Sequence, residues 1–502
     1  MKFSHSPLLA LLTLLLNISV SQAQQVPGLS LSNYGGLYRA TQNPSVLGGS
    51  RYKWQVNLVT AGSTINNRYF IFFGRNSYLY PLLVPHSTHE LYGRSRTMGS
   101  ITAAGTPTAY SPLHVASEVR WPSVMFSVGK NHGFAFQVRS RGFVQGNNIP
   151  QAIRTMYYRR LDTPATPTAS GTWGDFDLSQ QNFSEASASY GLQLINLRAH
   201  KLKVGGTLKR VFGARAGYLQ GSVDAYEIRQ VDGGDADEKE LVLNNFSYES
   251  GYTQPNQSWR LGDVLNGTKY GTGWGYDLGA TYELGSHWGR LEEDDDARPG
   301  YLIRFSASIT DLGSIHYQSP DSRVVSGNEI RTVIDQQQLE TLGNEGADGF
   351  ASIFPGPTET ILKQDAHLPT TLHWDVDVQL VKSFYINVAK VQRYGDAPQS
   401  PLDLTQPDAL IITPRFENED SDFSLPLTFM KGNKYVSMGA LARFGPFHLG
   451  FSNLNGLLNR KDQDATRATF MYMGFSVWKF KDRKLGIKKR WQPFEGRQRN
   501  NE

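Results

Sequence analysis

An all-β, transmembrane antiparallel β-barrel of about fourteen strands is the fold class that this sequence predicts. Three observations predict it. Apolar and polar residues alternate with a period of two over runs of about ten residues, the length of a tilted membrane strand. No apolar stretch after the first residues is long enough for a membrane helix, so a closed barrel is the remaining way to span a bilayer. Long polar insertions separate strands that otherwise follow each other closely, as on one side of a membrane barrel.

The clearest alternation lies in Thr371–Val381, where Leu372, Trp374, Val376, Val378 and Leu380 oppose His373, Asp375, Asp377 and Gln379. Residues 301–311 behave likewise, with Tyr301, Ile303, Phe305, Ala307 and Ile309 against Leu302, Arg304, Ser306, Ser308 and Thr310. Near the end, Ala468, Phe470, Tyr472, Gly474, Ser476, Trp478 and Phe480 share a face. Further runs at 52–60, 67–74, 123–129, 133–144, 185–195, 201–212, 218–230, 272–284, 384–392, 435–444 and 447–453 complete the set. Residues 241–252 read as another strand or a hairpin extension. Glycines at 271, 273, 275 and 279 recur every second residue, which marks one smooth strand face rather than a phosphate-binding loop.

Four segments follow from this. Residues 1–23 read as a signal peptide: Lys2, an apolar core over 8–16 and Ser21-Gln22-Ala23 as cleavage site. Residues 24–50 are rich in Gly and small polar side chains without sustained alternation. They suit either an N-terminal hatch inside the lumen or a segment hanging free; the Asn43-Pro44 step favours an ordered plug, because proline fixes its φ and asparagine caps backbone groups. The barrel takes 51–480. A basic tail, 481–502, follows it. From Lys479 to Glu502 nine Lys or Arg stand against three Asp or Glu, a net of +6 within a total of +5, so the body sums to −1. The basic character is therefore terminal, and no nucleic-acid partner is expected.

Chemistry is sparse. No Gly-x-Ser-x-Gly, His-Glu-x-x-His or Walker loop occurs, and Cys is absent. His86 and His89 sit in a turn-rich stretch, and the acidic run 292–296 lacks the Gly and final Glu of a calcium loop. No catalytic residue, cofactor or metal site is expected. Tyr52, Trp54, Tyr69, Trp374, Tyr472, Trp478 and Phe480 are read as interfacial girdle residues. Arg139, Arg141, Arg304, Asp375 and Asp377 are expected to face a polar lumen. Helical spacing is read at Ile149, Ile153, Met156 and Tyr157, and at Ile330, Val333, Ile334 and Leu342.

The mature N-terminus then carries a family likeness. Gly28-Leu29-Ser30, Asn33-Tyr34-Gly35-Gly36, Gln42-Asn43-Pro44-Ser45 and Asn66-Asn67-Arg68-Tyr69 resemble the start of FadL-like outer-membrane proteins. That superfamily includes long-chain fatty-acid transporters and the type IX secretion protein PorV; its Asn-Pro-Ala has Ser45 in place of Ala here. Pro122-Ser123-Val124-Met125, 136–141, Ser308-Ile309-Thr310-Asp311-Leu312-Gly313, Leu368-Pro369-Thr370 and Gly450-Phe451-Ser452-Asn453-Leu454 extend the likeness over most of 24–480, as an uncharacterised branch. The basic tail after Phe480 departs from barrels that end on an aromatic residue. The resemblance implies a cell outer-membrane location and a barrel with a luminal hatch. It does not fix a cargo. Two functions follow: a passive channel or carrier for hydrophobic small molecules, or a non-transporting scaffold or secretion accessory that binds envelope proteins. Outer-membrane lipid is the shared partner. An enzyme would need a nucleophile site that the sequence does not offer.

Overall fold

In the computed structural model, the residues described are 28–66, 71–73, 99–102, 113–150, 153, 160–162, 166–197, 199–234, 238–253, 270–285, 301–345, 347–354, 356–395, 399–404, 408–430, 436–451, 454 and 468–481. The expected signal peptide, Tyr69, His86, His89, the run 292–296 and the residues beyond Lys481 lie outside them.

Fourteen staves form one sheet. They are β1 (Tyr52–Asn66), β2 (Leu113–Arg120 and Ser123–Val128), β3 (His132–Asn147), β4 (Ala169–Leu197) and β5 (His200–Gln230). Next come β6 (Lys239–Tyr252 and Gly271–Leu284), β7 (Ile303–Gln318 and Arg323–Ile334) and β8 (Thr358–Thr360, Lys363–His367 and Thr371–Val381). The last six are β9 (Phe384–Arg393), β10 (Ala409–Glu417), β11 (Ser421–Ser424 and Leu427–Met430), β12 (Ser437–Met438 and Ala440–Phe444), β13 (Phe447–Phe451) and β14 (Ala468–Phe480). Each pairs antiparallel with its neighbours in order, and β1 pairs with β14 from Tyr52↔Phe480 to Asn66↔Ala468. The sheet is closed. Closure lets neighbouring strands satisfy each other's backbone groups from within, as lipid demands.

Polarity is inverted relative to a soluble protein. In β3, Phe136 and Val138 face outward while Gln137, Arg139 and Arg141 are buried. In β6, Trp274, Tyr276 and Leu278 are exposed and Asp277 is 1% exposed. Apolar outside and polar inside is the pattern of a strand between lipid and lumen. The architecture is that of an outer-membrane β-barrel. The turns at 129–131, 382–383 and 445–446 are short and lie at the same end as the start of β1 and the end of β14, which is the periplasmic side in such barrels.

Strand number agrees with the expected fourteen, but by compensation. Residues 201–212 and 218–230 belong to one stave, β5, of 31 residues. The run at 67–74 supplies no stave; only Ile71–Phe73 is described there, paired with Gly99–Thr102. Two staves, β10 and β11, were not foreseen, because Pro414 and Pro426 break their periodicity; the chain tolerates Pro414 inside β10.

Residues 241–252 form the upper piece of β6. With the upper parts of β4, β5 and β7 it makes a sheet that continues beyond the barrel, since β4 and β5 hold 29 and 31 residues where about ten cross a membrane. Two helices, α2 (Gln336–Glu345) and α3 (Ala347–Ile353), follow β7; Phe350 and Phe354, at the end of α3, pack on Phe246 and Tyr248 of that sheet. Of the helix read at Ile330, Val333, Ile334 and Leu342, only Leu342 lies in a helix, α2; the other three lie in the upper strand of β7. Those residues are β-branched, and pairing with β6 outweighs an i, i+3, i+4 coincidence.

Candidate functional site in the barrel lumen

Residues 28–50 lie inside the barrel. Their side chains and backbone touch inward groups on staves all around the wall: Gln55 and Asn57 of β1, Gln137 of β3, Thr281 of β6, Ser308 of β7 and Glu417 of β10. Helix α1 (Leu37–Gln42) is followed by a 3-10 turn, Pro44–Leu47. Asn43 caps that turn: its Oδ1 accepts from the Ser45 N–H at 3.1 Å, and Pro44 takes the first position, where no N–H is needed. The other end of the same carboxamide reaches the wall. Asn43 Nδ2 donates to the carbonyls of Ala280 and Ala307 at 3.2 and 3.3 Å, while Ser45 Oγ meets Thr281 Oγ1 at 2.7 Å.

The wall is shaped for this turn. Gly133 of β3, Gly191 of β4, Gly205 of β5 and Gly279 of β6 are cross-strand partners in one row. A Cβ on Gly205 would lie 2.5 Å from the Pro44 carbonyl, and one on Gly133 would meet Leu47 O at 2.1 Å. At Gly133, Gly191 and Gly205 backbone thus lies against backbone, and at Gly279 the Asn43 carboxamide and the Pro44 ring lie against the wall. The glycine face read at 271–279 is inward, and its purpose at Gly279 is close approach of Asn43.

Two charged clusters fill the lumen beside this segment. On β7, β8 and β10, Arg415 binds Asp377 through both oxygens at 3.0 and 2.6 Å, and Arg304 binds Asp377 at 2.8 Å. Arg415 also reaches Glu417, which accepts from Ser32 Oγ and the Asn33 N–H at 3.0 Å each. On β2–β7, four cations (Arg120, Arg139, Arg141, Lys209) meet four anions (Glu118, Glu185, Asp277, Asp311). Both clusters are neutral and fully buried, which is what lets charges persist there despite their desolvation cost. In the luminal segment, burial pushes the Tyr38 phenol up, so it stays protonated and donates to Asn57 Oδ1.

Among the residues singled out in the sequence, Arg139, Arg141, Arg304, Asp375 and Asp377 take inward positions with unequal parts. Arg139, Arg141, Arg304 and Asp377 sit at the centre of the clusters. Asp375 is half-buried, accepts from Asn387 Nδ2 at 2.9 Å and stands 4.0 Å from Arg304. Sequence reading missed Glu118, Arg120, Glu185, Lys209, Asp277, Asp311, Arg415 and Glu417. Parity would have found Asp277, between outward Tyr276 and Leu278, and Arg415, between Pro414 and outward Phe416; Asp311 follows the equally buried Thr310 at a φ of 60°, where the alternation breaks. The girdle needs correction. Trp54 and Trp374 face outward, but Tyr52 and Tyr472 are 2% and 1% exposed, and Trp478 and Phe480 pack on Tyr52. Strand β14 is apolar on both faces, with Met473 outward, so periodicity separated the two sets without saying which met lipid.

Farther from the short turns the lumen becomes apolar. Phe143, Phe183, Val211, Ile315, Tyr317 and Leu368 surround Leu402 and Leu404. Those leucines come from 399–404, a turn in which Asp403 accepts from the N–H groups of Gln399 and Ser400, and which Gln145 and Gln181 hold by its carbonyls. Among the described residues no three His, Asp or Glu form a metal-binding group.

A model described as a family of unknown function, DUF5723, matches residues 101–452. The chain belongs to that family. No curated protein matches the sequence. Solved structures similar to it include the Pseudomonas putida toluene transporter TodX, at 10% identity over 91% of this chain and 95% of that one, with a TM-score of 0.38. The Ralstonia pickettii toluene transporter TbuX matches at 10% over 89% and 94%, TM-score 0.36. A Pseudomonas aeruginosa FadL homologue matches at 9% over 91% and 96%, TM-score 0.36. These are barrels of the FadL type that the sequence motifs resemble; the fold of this chain rests on its own strand pairing.

Proposed function

We propose that this barrel is a passive channel or carrier for hydrophobic small molecules, with residues 28–50 as its hatch. The observation that carries the reading is the apolar section of the lumen around Leu402 and Leu404. A barrel lumen has no need to be apolar for stability in lipid, since its interior is normally polar. A place where Phe143, Phe183, Tyr317 and Leu368 converge suits an uncharged apolar guest. The break of β2 at Trp121-Pro122 adds support: an apolar groove of about 410 Å³ opens there on the outer face, lined by Val56, Val124, Phe136 and Val138 among others.

The experiment is uptake into protein-loaded liposomes. Influx of an apolar fluorescent probe should exceed that of protein-free vesicles, while glycerol influx should not change. Equal probe influx with and without protein overturns the reading. It would favour the second one, a scaffold or secretion accessory that binds envelope proteins, for which the charge clusters filling the lumen speak.

A further inference from the structure

The chain between β9 and β10, residues 394–408, does not simply cap the barrel rim. Gly395, with φ at +102°, bends it as it leaves β9, in a conformation that costs glycine little. The Arg393 N–H donates to Asp408 Oδ1 at 2.9 Å and closes the base of the excursion. Its middle, 399–404, enters the lumen and reaches the wall on β3 and β4. Gln145 Nε2 donates to the Asp403 carbonyl at 3.3 Å, and Gln181 Nε2 donates to that of Leu402. In a barrel of fourteen, β3 stands seven staves from β10, so the segment crosses the bore.

The two faces of this segment differ. Ser400, Leu402 and Leu404 are buried, while Gln399 is exposed, as is His367 of β8, which holds the segment from the outer end. Asp403 gathers most of the ties. Its carboxylate accepts from the N–H groups of Gln399, Ser400 and His367 at 2.8, 3.0 and 2.8 Å, with His367 Nδ1 at 3.0 Å. Among the described residues none of 399–404 joins the sheet, so side-chain bonds centred on one carboxylate keep it in place. Residues 28–50, by contrast, are bonded to staves all around the wall. Leu402 and Leu404 are uncharged branched hydrocarbons, and the lumen receives them among Phe143, Phe183, Tyr317 and Leu368. We propose that residues 399–404 are a displaceable strap across the outer end of the lumen, whose leucines hold the seat of an uncharged apolar guest; the guest's class rests on the carrier reading above. Guest and strap compete for the same contacts, so the guest shifts the strap outward by as much as it prefers the vacated chamber. The Asp403 ties set how strong that preference must be.

The chain contains no Cys, so Leu402→Cys places a single reporter on the buried face of the strap. In the full chain purified in detergent, a charged, water-soluble maleimide should label it slowly. Asp403→Ala, which removes four bonds at once, should accelerate labelling by about tenfold or more. Excess N-phenylnaphthylamine, an uncharged apolar probe, should accelerate it too, whereas glycerol should not. A second reporter, Val46→Cys on the 3-10 turn, should keep its rate when Asp403→Ala is added, because the strap opens outward; a barrel merely loosened would expose both. The proposal is overturned if Leu402→Cys reacts like an exposed cysteine, if Asp403→Ala leaves its rate unchanged, if Val46→Cys accelerates equally, or if the probe has no effect. Influx of the same probe into liposomes judges the carrier reading separately. Influx with no probe effect on Leu402→Cys overturns the strap alone, and probe-accelerated labelling without influx supports the strap and overturns the carrier.

Discussion

Replacing Asn43 by alanine should unseat the luminal segment while leaving the barrel folded. One carboxamide makes the cap to the Ser45 N–H and two bonds to the sheet carbonyls of Ala280 and Ala307. Loss of a cap costs about 1 kcal/mol and loss of each net hydrogen bond about another. The sum is about 3 kcal/mol, or about two orders of magnitude in the seated-to-unseated ratio. The chain contains no Cys, so a single reporter, Val46→Cys on the 3-10 turn, reads that ratio cleanly. Labelling by a water-soluble maleimide should accelerate by about a hundredfold when Asn43→Ala is added, if opening limits access. Gly205→Ala should do the same from the wall side, because its Cβ would sit 2.5 Å from the Pro44 carbonyl. Unchanged labelling in both variants, with gels showing intact barrels, would refute the seat described here.

Other outcomes follow from the same geometry. Deleting residues 25–49 should leave a heat-resistant folded barrel with a higher conductance in planar bilayers than the full chain; equal conductance would remove the hatch. Asp377→Ala should destabilise by about 3–5 kcal/mol, because it strands Arg415 and Arg304 in the lumen, and chemical unfolding should show it. Val376→Arg, on the lipid face of the same stave, should cost about 2–4 kcal/mol and act at assembly instead. Truncation after Lys481 should preserve gel migration, as β14 is complete at Phe480.

The barrel was legible because period two is a property of the backbone pleat, and lipid enforces it on stave after stave. What it could not supply was direction or continuity. Tyr472 and Met473 are both apolar neighbours on β14, and only contact with the luminal segment, where Tyr472 joins Leu29, Tyr38 and Leu441, turns one of them inward. The long staves were hidden for a related reason. In β5, Gly213 to Gly217 interrupts the alternation where the stave leaves the level of β6's lower piece and begins to pair with its upper one. Read locally, that is a turn; read with its partners, it is the place where one strand changes neighbour.

The luminal segment shows the limit most clearly. Asn43-Pro44-Ser45 announces an ordered turn, and the inward glycines of four separate staves announce a smooth wall, yet no sequence distance links them. Their meaning is joint. A turn that fits backbone against backbone needs glycine on every stave it crosses, and a wall row of glycine would be a pure entropic loss without something to lie on it. A side chain larger than hydrogen at position 133, 191 or 205 meets the main chain of 44–48, and one at 279 meets the Asn43 carboxamide and the Pro44 ring, so the segment must lift to make room. The position of the luminal segment is therefore set as much by what four staves lack as by what residues 43–45 contain.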